Sequence, residues 1–386
     1  MAKLPLSGIR ILSLAEQYPG PYATMLLADL GADVIMVERP STGDPARRFP
    51  GLFASFNRNK RSVVLDLKSA RGKDEFLRLV DTADVVMEGF RPGVMARLKI
   101  GPDELRARRP SLIFVSISSF GQNGPLAGVA GHDLSIQAAA GMIDVPVGQE
   151  AGLTLPVLPL ADISSAMFAA MGVVTALFMR TRSGLGTAID VSMLDSLVSW
   201  MTPFLVPPMN NLPTRTLPPQ DPGYGLFATA DGRQITLSIA GEDPMWKALC
   251  NLLDLMQFAD LTELTRSVRA QEIGPQLRAA VALWRYDDLY RRLEGLGIAF
   301  GPVRRLDEVL ADPQMVSRRM AVEVAGPKGG NGGNGRNGGN DAQTFVRQPL
   351  LLNGQGGTIK CQAPALGQHN AEVLAALANV ASTVTS

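Results

Sequence analysis

Two side chains suited to acid–base or nucleophilic chemistry stand in short, distinctive motifs of this chain. Asp162 lies in Leu-Pro-Leu-Ala-Asp-Ile-Ser-Ser-Ala (158–166), where a long apolar run begins, and His132 lies in Gly-His-Asp (131–133). The chain has only two histidines, so an imidazole between glycine and aspartate is a candidate for proton transfer. A carboxylate at a helix entrance can act as a nucleophile or a base. The pair therefore predicts covalent catalysis or proton transfer.

Each of these residues also has a purely structural interpretation. Aspartate before an apolar helix commonly caps the helix N-terminus, which would account for Asp162. A loop histidine such as His132 is often a hydrogen-bonded structural group. Glu242, which precedes Asp243 and Pro244, is typical of an acid in the first turn of a helix. The residue types alone leave both interpretations open.

The elements that must position these residues alternate between strand and helix. The predicted strands are Gly8–Leu14, Asp33–Glu38, Ser62–Leu67, Asp84–Glu88, Leu112–Ile117 and Thr187–Ser192. The predicted helices between them include Tyr22–Leu30 and Gly72–Thr82. This rhythm predicts an α/β fold with a Rossmann-like, doubly wound parallel sheet. A further helix over 163–181 is apolar nearly all round, so we expect it to be buried.

The distribution of turn- and loop-forming residues along the chain predicts a large domain followed by a smaller α+β domain. Seven prolines mark a linker, the pair Asp231-Gly232 predicts a hairpin turn, and a glycine–asparagine stretch cannot bury a core. The predicted segments are a large domain over 1–202, a linker over 203–223, a small domain over 224–325, a loop over 326–340 and a C-terminal segment over 341–386.

Composition excludes several classes of function. The formal net charge of +1 offers no field for nucleic acid, and the apolar stretch 166–179 is shorter than a membrane span. Two cysteines, two histidines and no cluster of them predict a reducing cytoplasm and no metal site. The chain lacks Gly-x-Gly-x-x-Gly, Gly-x-Ser-x-Gly and a Walker motif, which disfavours dehydrogenase, hydrolase and nucleotide-triphosphatase activities.

An ordered series of motifs then covers most of the chain. They are Gly20–Ile35, Val37–Pro40, Asn57–Lys68, Ala83–Met95, Ser118–Pro125, Gly131–Asp133, Leu160–Ile163, Asp231–Arg233 and Glu242–Trp246. The series resembles the family III CoA-transferases of the CaiB/BaiF type, a family that also holds formyl-CoA transferase and α-methylacyl-CoA racemase. The glycine–asparagine stretch departs from that pattern.

The resemblance implies an architecture and a ligand. It implies an interlocked homodimer, a large domain to which 341–386 returns, and an acyl-CoA and a carboxylic acid as substrates without a permanently bound cofactor. Arginine and lysine bind phosphates well, so the basic loop of Arg58, Lys60 and Arg61 is a candidate for the CoA phosphates. Positions that lie near the nucleotide in the family match Arg39, Leu65, Lys68, Phe90 and Arg97.

The resemblance also implies the catalytic roles. The aspartate matching Asp162 is catalytic in both branches, as a nucleophile in transferases and a base in racemases. In racemase-type members a histidine matching His132 is the second base, and a glutamate matching Glu242 supports it. Ala161-Asp-Ile-Ser-Ser165 and Ser119-Phe-Gly-Gln122 depart from the racemase motifs toward the transferase ones. A CoA-transferase is therefore favoured, with a 2-methylacyl-CoA racemase and a non-catalytic CoA-binding protein as alternatives.

Overall fold

The computed structural model describes residues 3–144, 156–213, 221–326 and 342–384. Within these ranges the chain divides into two units. The first comprises 3–144, 156–203 and everything described from 313 onward, and the second comprises the described part of 204–312. Almost all of the predicted loop 326–340, and 214–220 of the predicted linker, lie outside the described residues.

A six-stranded parallel sheet forms the centre of the first unit. Its strands are β1 (Arg10–Ser13), β2 (Asp33–Glu38), β3 (Lys60–Val64), β4 (Val85–Glu88), β5 (Ile113–Ser118) and β6 (Ala188–Ser192). They are ordered β3-β2-β1-β4-β5-β6, and every neighbouring pair is parallel. This is the strand order of a Rossmann-like sheet, so the predicted α/β class is confirmed.

Helices cover both faces of this sheet. They are α1 (Pro19–Asp29), α2 (Pro50–Asn57), α3 (Ala70–Val80), α4 (Val94–Arg97), α5 (Pro102–Arg108), α6 (Asp133–Ala139), α7 (Leu160–Ser183) and α8 (Met193–Trp200). Because side chains alternate along a strand, Ile11 joins the core under α1, α7 and α8, whereas Leu12 joins the opposite core under α3 and α5. Both faces of the strands are buried, as expected for a parallel sheet.

The helix α7 is longer and more exposed than the sequence predicts. It has 24 residues, which by length and composition is enough to cross a membrane, although core helices of soluble proteins pass the same test. Its small side chains, among them Ala161, Ala166, Ala169 and Ala176, are buried in the core. Large apolar side chains on the outer face stay half exposed, namely Met167, Met171, Val174 and Phe178. The expectation of a fully buried helix is therefore wrong.

The second unit is a smaller α+β body. Its elements are α9 (Thr202–Met209), which begins at the end of the first unit, β7 (Tyr224–Ala228), β8 (Gln234–Ser238), α10 (Asp243–Leu252), α11 (Glu263–Val268), α12 (Ala270–Val281), α13 (Tyr286–Gly295), β9 (Phe300–Pro302) and α14 (Leu306–Val309). The hairpin of β7 and β8 turns at Asp231-Gly232, as predicted. The predicted linker from 203 is wrong over its first residues, because α9 occupies them.

The end of the chain belongs to the first unit. Its elements are α15 (Pro313–Ser317), β10 (Ala321–Val324), β11 (Gln343–Val346), β12 (Leu351–Leu352), β13 (Gln355–Gly356) and α16 (Asn370–Val384). Since β10 pairs with β11, residues 313–324 do not belong to the small domain in which the sequence placed them. The Val64 N–H donates to Asn370 Oδ1 (2.8 Å) and the His369 N–H to the Ser62 carbonyl (3.0 Å), so this segment covers the edge strand β3.

Candidate active site

A cleft of about 550 Å³ opens at the carboxyl ends of the central strands. Its walls are the segments that follow β1 (15–20) and β4 (89–92), the carboxyl end of β5 (117–119), residues 129–134 and the start of α7. Successive strands are added to one side of β1 as far as β3 and then to its other side from β4 onward. Doubly wound sheets bind their ligands at this switch point between β1 and β4. The volume lies within the range of small-molecule sites.

Asp162 reaches this cleft from the first turn of α7. The helix begins at Leu160, so Asp162 is its third residue and does not cap it, contrary to the structural interpretation of the sequence. The cap comes from Asp133, whose Oδ1 accepts the N–H groups of Ala161 (2.8 Å) and Asp162 (3.2 Å). Because a neighbouring carboxylate satisfies the helix terminus, the carboxyl group of Asp162 is left to face the cleft.

The electrostatics of this carboxyl group are unusual. Burial and, as the smaller cause, the negative charge of Asp133 together raise the pKa of Asp162 to about 7. Among the described residues it has no hydrogen-bond donor and no cation to offset these effects. A carboxylate that is poorly solvated and unpaired is a more reactive nucleophile and a stronger base than one in water.

Asp133 was singled out in the sequence only as the neighbour of His132. Its Oδ2 accepts a hydrogen bond from Gln137 Nε2 (2.6 Å), which is fully buried and also donates to the Leu158 carbonyl (2.9 Å). This chain of bonds ties α6 to the segment leading into α7. In the sequence, Asp133 can be recognised only as an acidic residue of the kind found in the first turn of a helix. That pattern does not reveal that its carboxylate caps a different helix.

The two candidate catalytic residues of the first unit line the same cleft. His132 is exposed there and immediately precedes α6, with its backbone N–H donating to Ser135 Oγ (2.9 Å). Glu242 belongs to the second unit, where it is exposed just before α10 and accepts the Ala240 N–H (2.8 Å). Its support of the imidazole stays a prediction.

The loop after β1 supplies cleft residues that sequence reasoning missed. Gln17 adopts a left-handed backbone conformation (φ 65°), and its N–H donates to the buried carboxylate of Asp44 (3.0 Å). Such a conformation in a non-glycine residue carries strain, which often marks functional sites. Burial raises the pKa of Tyr18, and the nearby charge of Asp162 raises it further. The motif Gln17-Tyr-Pro-Gly-Pro21 directly after the first strand was the available signal.

Several predicted CoA-contacting residues follow the carboxyl ends of neighbouring strands. Arg39 follows β2, Leu65 and Lys68 follow β3, and Phe90 follows β4. Parallel strands bring all four to the same edge of the sheet, although only Phe90 lines the cleft itself. Arg39 makes a bidentate ion pair with Glu16, which also lines the cleft.

Of this group, Leu65 is buried in the core and Lys68 is exposed. Arg97, the last residue of α4, is exposed as well. Arg91, which the sequence analysis did not select, lines the cleft beside Phe90 and has no ion-pair partner within the described ranges. It adds a positive charge at the mouth of the cleft.

The basic loop before β3 does not fit the predicted role. Arg58 is buried in an ion pair with Asp29 (2.7 Å). Lys60 is buried too, its Nζ donates to the Pro21 carbonyl (2.8 Å), and burial lowers its pKa to about 7. Both lie at the amino end of β3, at the edge of the sheet away from the cleft. Cations that are buried and already paired are not free to bind a phosphate.

Arg61, the third member of the basic loop, is also engaged within the fold. It forms ion pairs with Asp33 (2.6 Å) and Glu372 (2.8 Å). Throughout the part of the chain that the structure describes, no group of three histidine, cysteine or acidic side chains is arranged to hold a metal ion. The functional groups that line the cleft include carboxylates, an imidazole, a phenol, a guanidinium and the hydroxyls of Ser118 and Ser119.

The strand order defines a doubly wound α/β protein, and its cleft holds a carboxylate that has no partner among the described residues. The sequence profile of CoA-transferase family III matches residues 6–370, so the chain belongs to that family. It is 32% identical over 410 residues to succinate–glutarate CoA-transferase of Agrobacterium fabrum, covering 99% of this chain and 98% of that protein.

Two further comparisons agree. Succinyl-CoA:mesaconate CoA-transferase of Haloarcula marismortui is 33% identical over 399 residues, covering 96% of this chain and 95% of that protein. The crystal structure of a CaiB/BaiF family protein from Brucella suis superposes with a TM-score of 0.82 at 29% identity, covering 97% of this chain and 100% of that one. The similarity extends over nearly the whole length of all three proteins.

Proposed function

We propose that this protein is an acyl-CoA:carboxylate CoA-transferase in which Asp162 carries the covalent intermediate. The observation that carries the proposal is the carboxyl group at the first turn of α7. It lines the cleft, it has no cation or donor among the described residues, and Asp133 fulfils the capping role that would otherwise occupy it. These features are suited to a nucleophile.

The proposed steps exchange the two acyl groups on one thiol. The Asp162 carboxylate attacks the thioester carbonyl, and the C–S bond breaks to give a mixed anhydride and CoA thiolate. The thiolate attacks the aspartyl carbonyl of the anhydride, which releases the first carboxylate and leaves an aspartyl-CoA thioester. The acceptor carboxylate then repeats these steps in reverse order, which forms the new acyl-CoA and regenerates Asp162.

Backbone geometry supports the stabilisation of charge in these steps. The N-terminus of α7 directs its peptide dipoles toward the cleft, and the helix start favours negative charge. The Ile163 N–H in this first turn is not available to an oxyanion, because it donates to the Pro159 carbonyl (3.0 Å).

For the acceptor we propose a dicarboxylic acid. Arg91 lines the cleft without an ion-pair partner in the described residues, so it can pair with a second carboxylate. The Agrobacterium and Haloarcula relatives are named for succinate or succinyl-CoA, glutarate and mesaconate, whose acids are all dicarboxylic. A panel of succinyl-CoA with dicarboxylate and monocarboxylate acceptors, analysed by chromatography of the CoA thioesters, tests the preference. Equal rates with the monocarboxylates would contradict it.

A 2-methylacyl-CoA racemase is the second candidate, and a specific observation favours it. His132 and Asp162 line one cleft, so two bases are available to the carbon next to the thioester. In that reaction one base removes the α-proton and the other returns a proton to the opposite face, with Glu242 as the proposed support of the imidazole. A non-catalytic CoA-binding protein is the least favoured candidate, because it would have no use for an unpaired carboxyl group.

If the protein is a transferase, replacing His132 with alanine is expected to reduce CoA transfer by about tenfold at most, because in that reaction the imidazole only contacts the substrate. In a racemase the same change would abolish exchange of the α-proton, since one of the two bases is lost. The measurement is deuterium incorporation from D2O into a 2-methylacyl-CoA, followed by mass spectrometry. Rapid incorporation by the unmodified protein that disappears in His132→Ala would favour the racemase over the transferase.

We also propose that the protein is a homodimer. The outer face of α7 exposes Met167, Met171 and Phe178 in a row, and a single chain leaves this apolar face in contact with water. The resemblance to the family, whose members form interlocked dimers, makes a second copy the proposed occupant. We propose the same interlocked arrangement of the two chains for this protein.

The change Met171→Glu is expected to weaken the dimer by about a hundredfold or more, because the new carboxylate would be buried without a partner. Size-exclusion chromatography with light scattering measures the mass, which for the unmodified protein should be twice the 41.1 kDa of one chain. Leu283→Glu is the control, since Leu283 is 84% exposed in the second unit. An unchanged dimer in Met171→Glu would show that this face is not the interface.

A further inference from the structure

A buried carboxyl group that has no countercharge among the described residues lies at the carboxyl end of β4. Glu88 is the last residue of that strand and is only 4% exposed. Burial, with a smaller contribution from the charge of Asp190 on β6, raises its pKa to about 7. The groups that lower it are the hydroxyl of Ser116 and one backbone N–H, and neither is a cation. An unpaired buried acid is costly, so a role beyond packing is expected.

The contacts of Glu88 lead directly to the wall of the cleft. Its Oε2 accepts the N–H of Phe90 (2.7 Å), two residues further along the chain. Ser116, which is paired with Glu88 across β4 and β5, hydrogen-bonds to the same carboxyl group. When a side chain accepts the backbone N–H of the residue two positions later, it fixes a turn. Here that turn begins the loop 89–92, which lines the cleft.

The loop that follows this hydrogen bond packs against a neighbouring loop at its start and turns sharply at its end. Gly89 lies against the loop after β1, where a Cβ would be 3.5 Å from the Ala15 Cβ. The other end of the loop closes at Gly93, which has a left-handed backbone (φ 82°) and leads into α4. The Glu88 carboxylate is therefore the polar contact that sets where Phe90 and Arg91 leave the strand.

We propose that Glu88 is a positioning residue for acyl-CoA, and that its side-chain oxygen holds the Phe90 backbone so that the loop 89–92 binds the CoA thioester. The inference rests on the proposed function, since it takes the cleft to be the acyl-CoA site. Glu88 acts through the Phe90 N–H and not on the reacting atoms. Its loss is therefore expected to weaken binding more than it slows chemistry.

Three variants separate the hydrogen bond from the charge and from packing. Glu88→Met is expected to raise the KM for succinyl-CoA about tenfold, the size of one charge-assisted hydrogen bond, with kcat changed by less than about threefold. Its thermal midpoint should stay the same or rise, because an unpaired buried acid has been removed. Glu88→Gln should keep a KM near that of the unmodified protein, since its amide oxygen can still accept the Phe90 N–H.

The third variant, Glu88→Asp, keeps the charge but shortens the side chain by one methylene. It should raise the KM as Glu88→Met does, because its oxygen is withdrawn from the Phe90 N–H. Asp190→Asn is the matched control: it removes the neighbouring charge but keeps an oxygen for the Gln122 N–H that Asp190 now binds (2.9 Å). This control is expected to leave the KM for succinyl-CoA unchanged.

Several results would overturn the inference. One is a KM that is unchanged in both Glu88→Met and Glu88→Asp while the unmodified protein is active. Another is a normal KM in Glu88→Asp with a raised KM in Glu88→Gln, which would assign the effect to charge. A rise in the KM of Asp190→Asn as large as that of Glu88→Met would also assign the effect to charge. If the unmodified protein neither transfers CoA nor binds coenzyme A in calorimetry, the proposed function itself fails and this inference falls with it.

Discussion

Replacing Asp162 with alanine is expected to lower kcat for CoA transfer by at least about a thousandfold, because no covalent intermediate can then form. With the unmodified protein, hydroxylamine added after succinyl-CoA should inactivate the enzyme by converting the aspartyl thioester to a hydroxamate. Peptide mass spectrometry should find that hydroxamate on Asp162. The Asp162→Ala protein should be insensitive to the same treatment.

The chain offers a closely matched control for this experiment. Asp195 is the third residue of α8, just as Asp162 is the third residue of α7, but it is exposed and does not line the cleft. Asp195→Ala should therefore keep transfer activity and hydroxylamine sensitivity. Full activity in Asp162→Ala would contradict the covalent route and the racemase alternative together, since both use this carboxyl group.

The second large effect is a loss of activity in acid. With the pKa of Asp162 raised to about 7 by burial and by Asp133, the carboxyl group is protonated below that pH and cannot attack a thioester. We expect kcat/KM to level off above pH 7 and to fall about tenfold for each pH unit below it. The measurement is the pH dependence of kcat/KM for acyl-CoA, which reports groups of the free enzyme.

The Asp133→Asn variant identifies the group responsible. It keeps an oxygen that can cap α7 but removes the negative charge beside Asp162, so the pKa of Asp162 should fall and the acid limb should move to lower pH. Glu88 also has a pKa raised to about 7, but its causes do not include Asp133. An acid limb that stays in place in Asp133→Asn would therefore indicate that a group other than Asp162 controls the profile.

Much of the fold could be predicted from local patterns. The strands are short apolar runs bounded by turn residues, and Asp33–Glu38 was predicted with the bounds that the structure gives. Shorter helices such as α6 were missed, because seven residues give too little periodicity to separate a helix from a loop. The outer face of α7 was misjudged for a different reason. Hydrophobicity alone does not distinguish a core face from a face left for another surface.

The residues of the candidate site were likewise predictable only in part. Asp162 and His132 could be selected from residue type and motif, and the strand order explains why distant loops bring them to one cleft. Arg58 and Lys60 were misassigned because a cluster of charges looks the same in sequence whether it is solvated or buried. Only tertiary contacts show that Asp29 and the Pro21 carbonyl already occupy these cations. The capping of α7 by Asp133 depends on two helices meeting, which no local pattern encodes.

The cover over the edge strand β3 has a consequence for how the chain is made. The Val64 N–H finds its acceptor in Asn370, 306 residues later, and the Asn59 N–H finds one in the Cys361 carbonyl. During translation, this edge leaves the ribosome long before its cover has been synthesised, and an open edge readily pairs with other chains. The second unit, which ends at residue 312, is therefore synthesised in full before the last segment of the first unit leaves the ribosome.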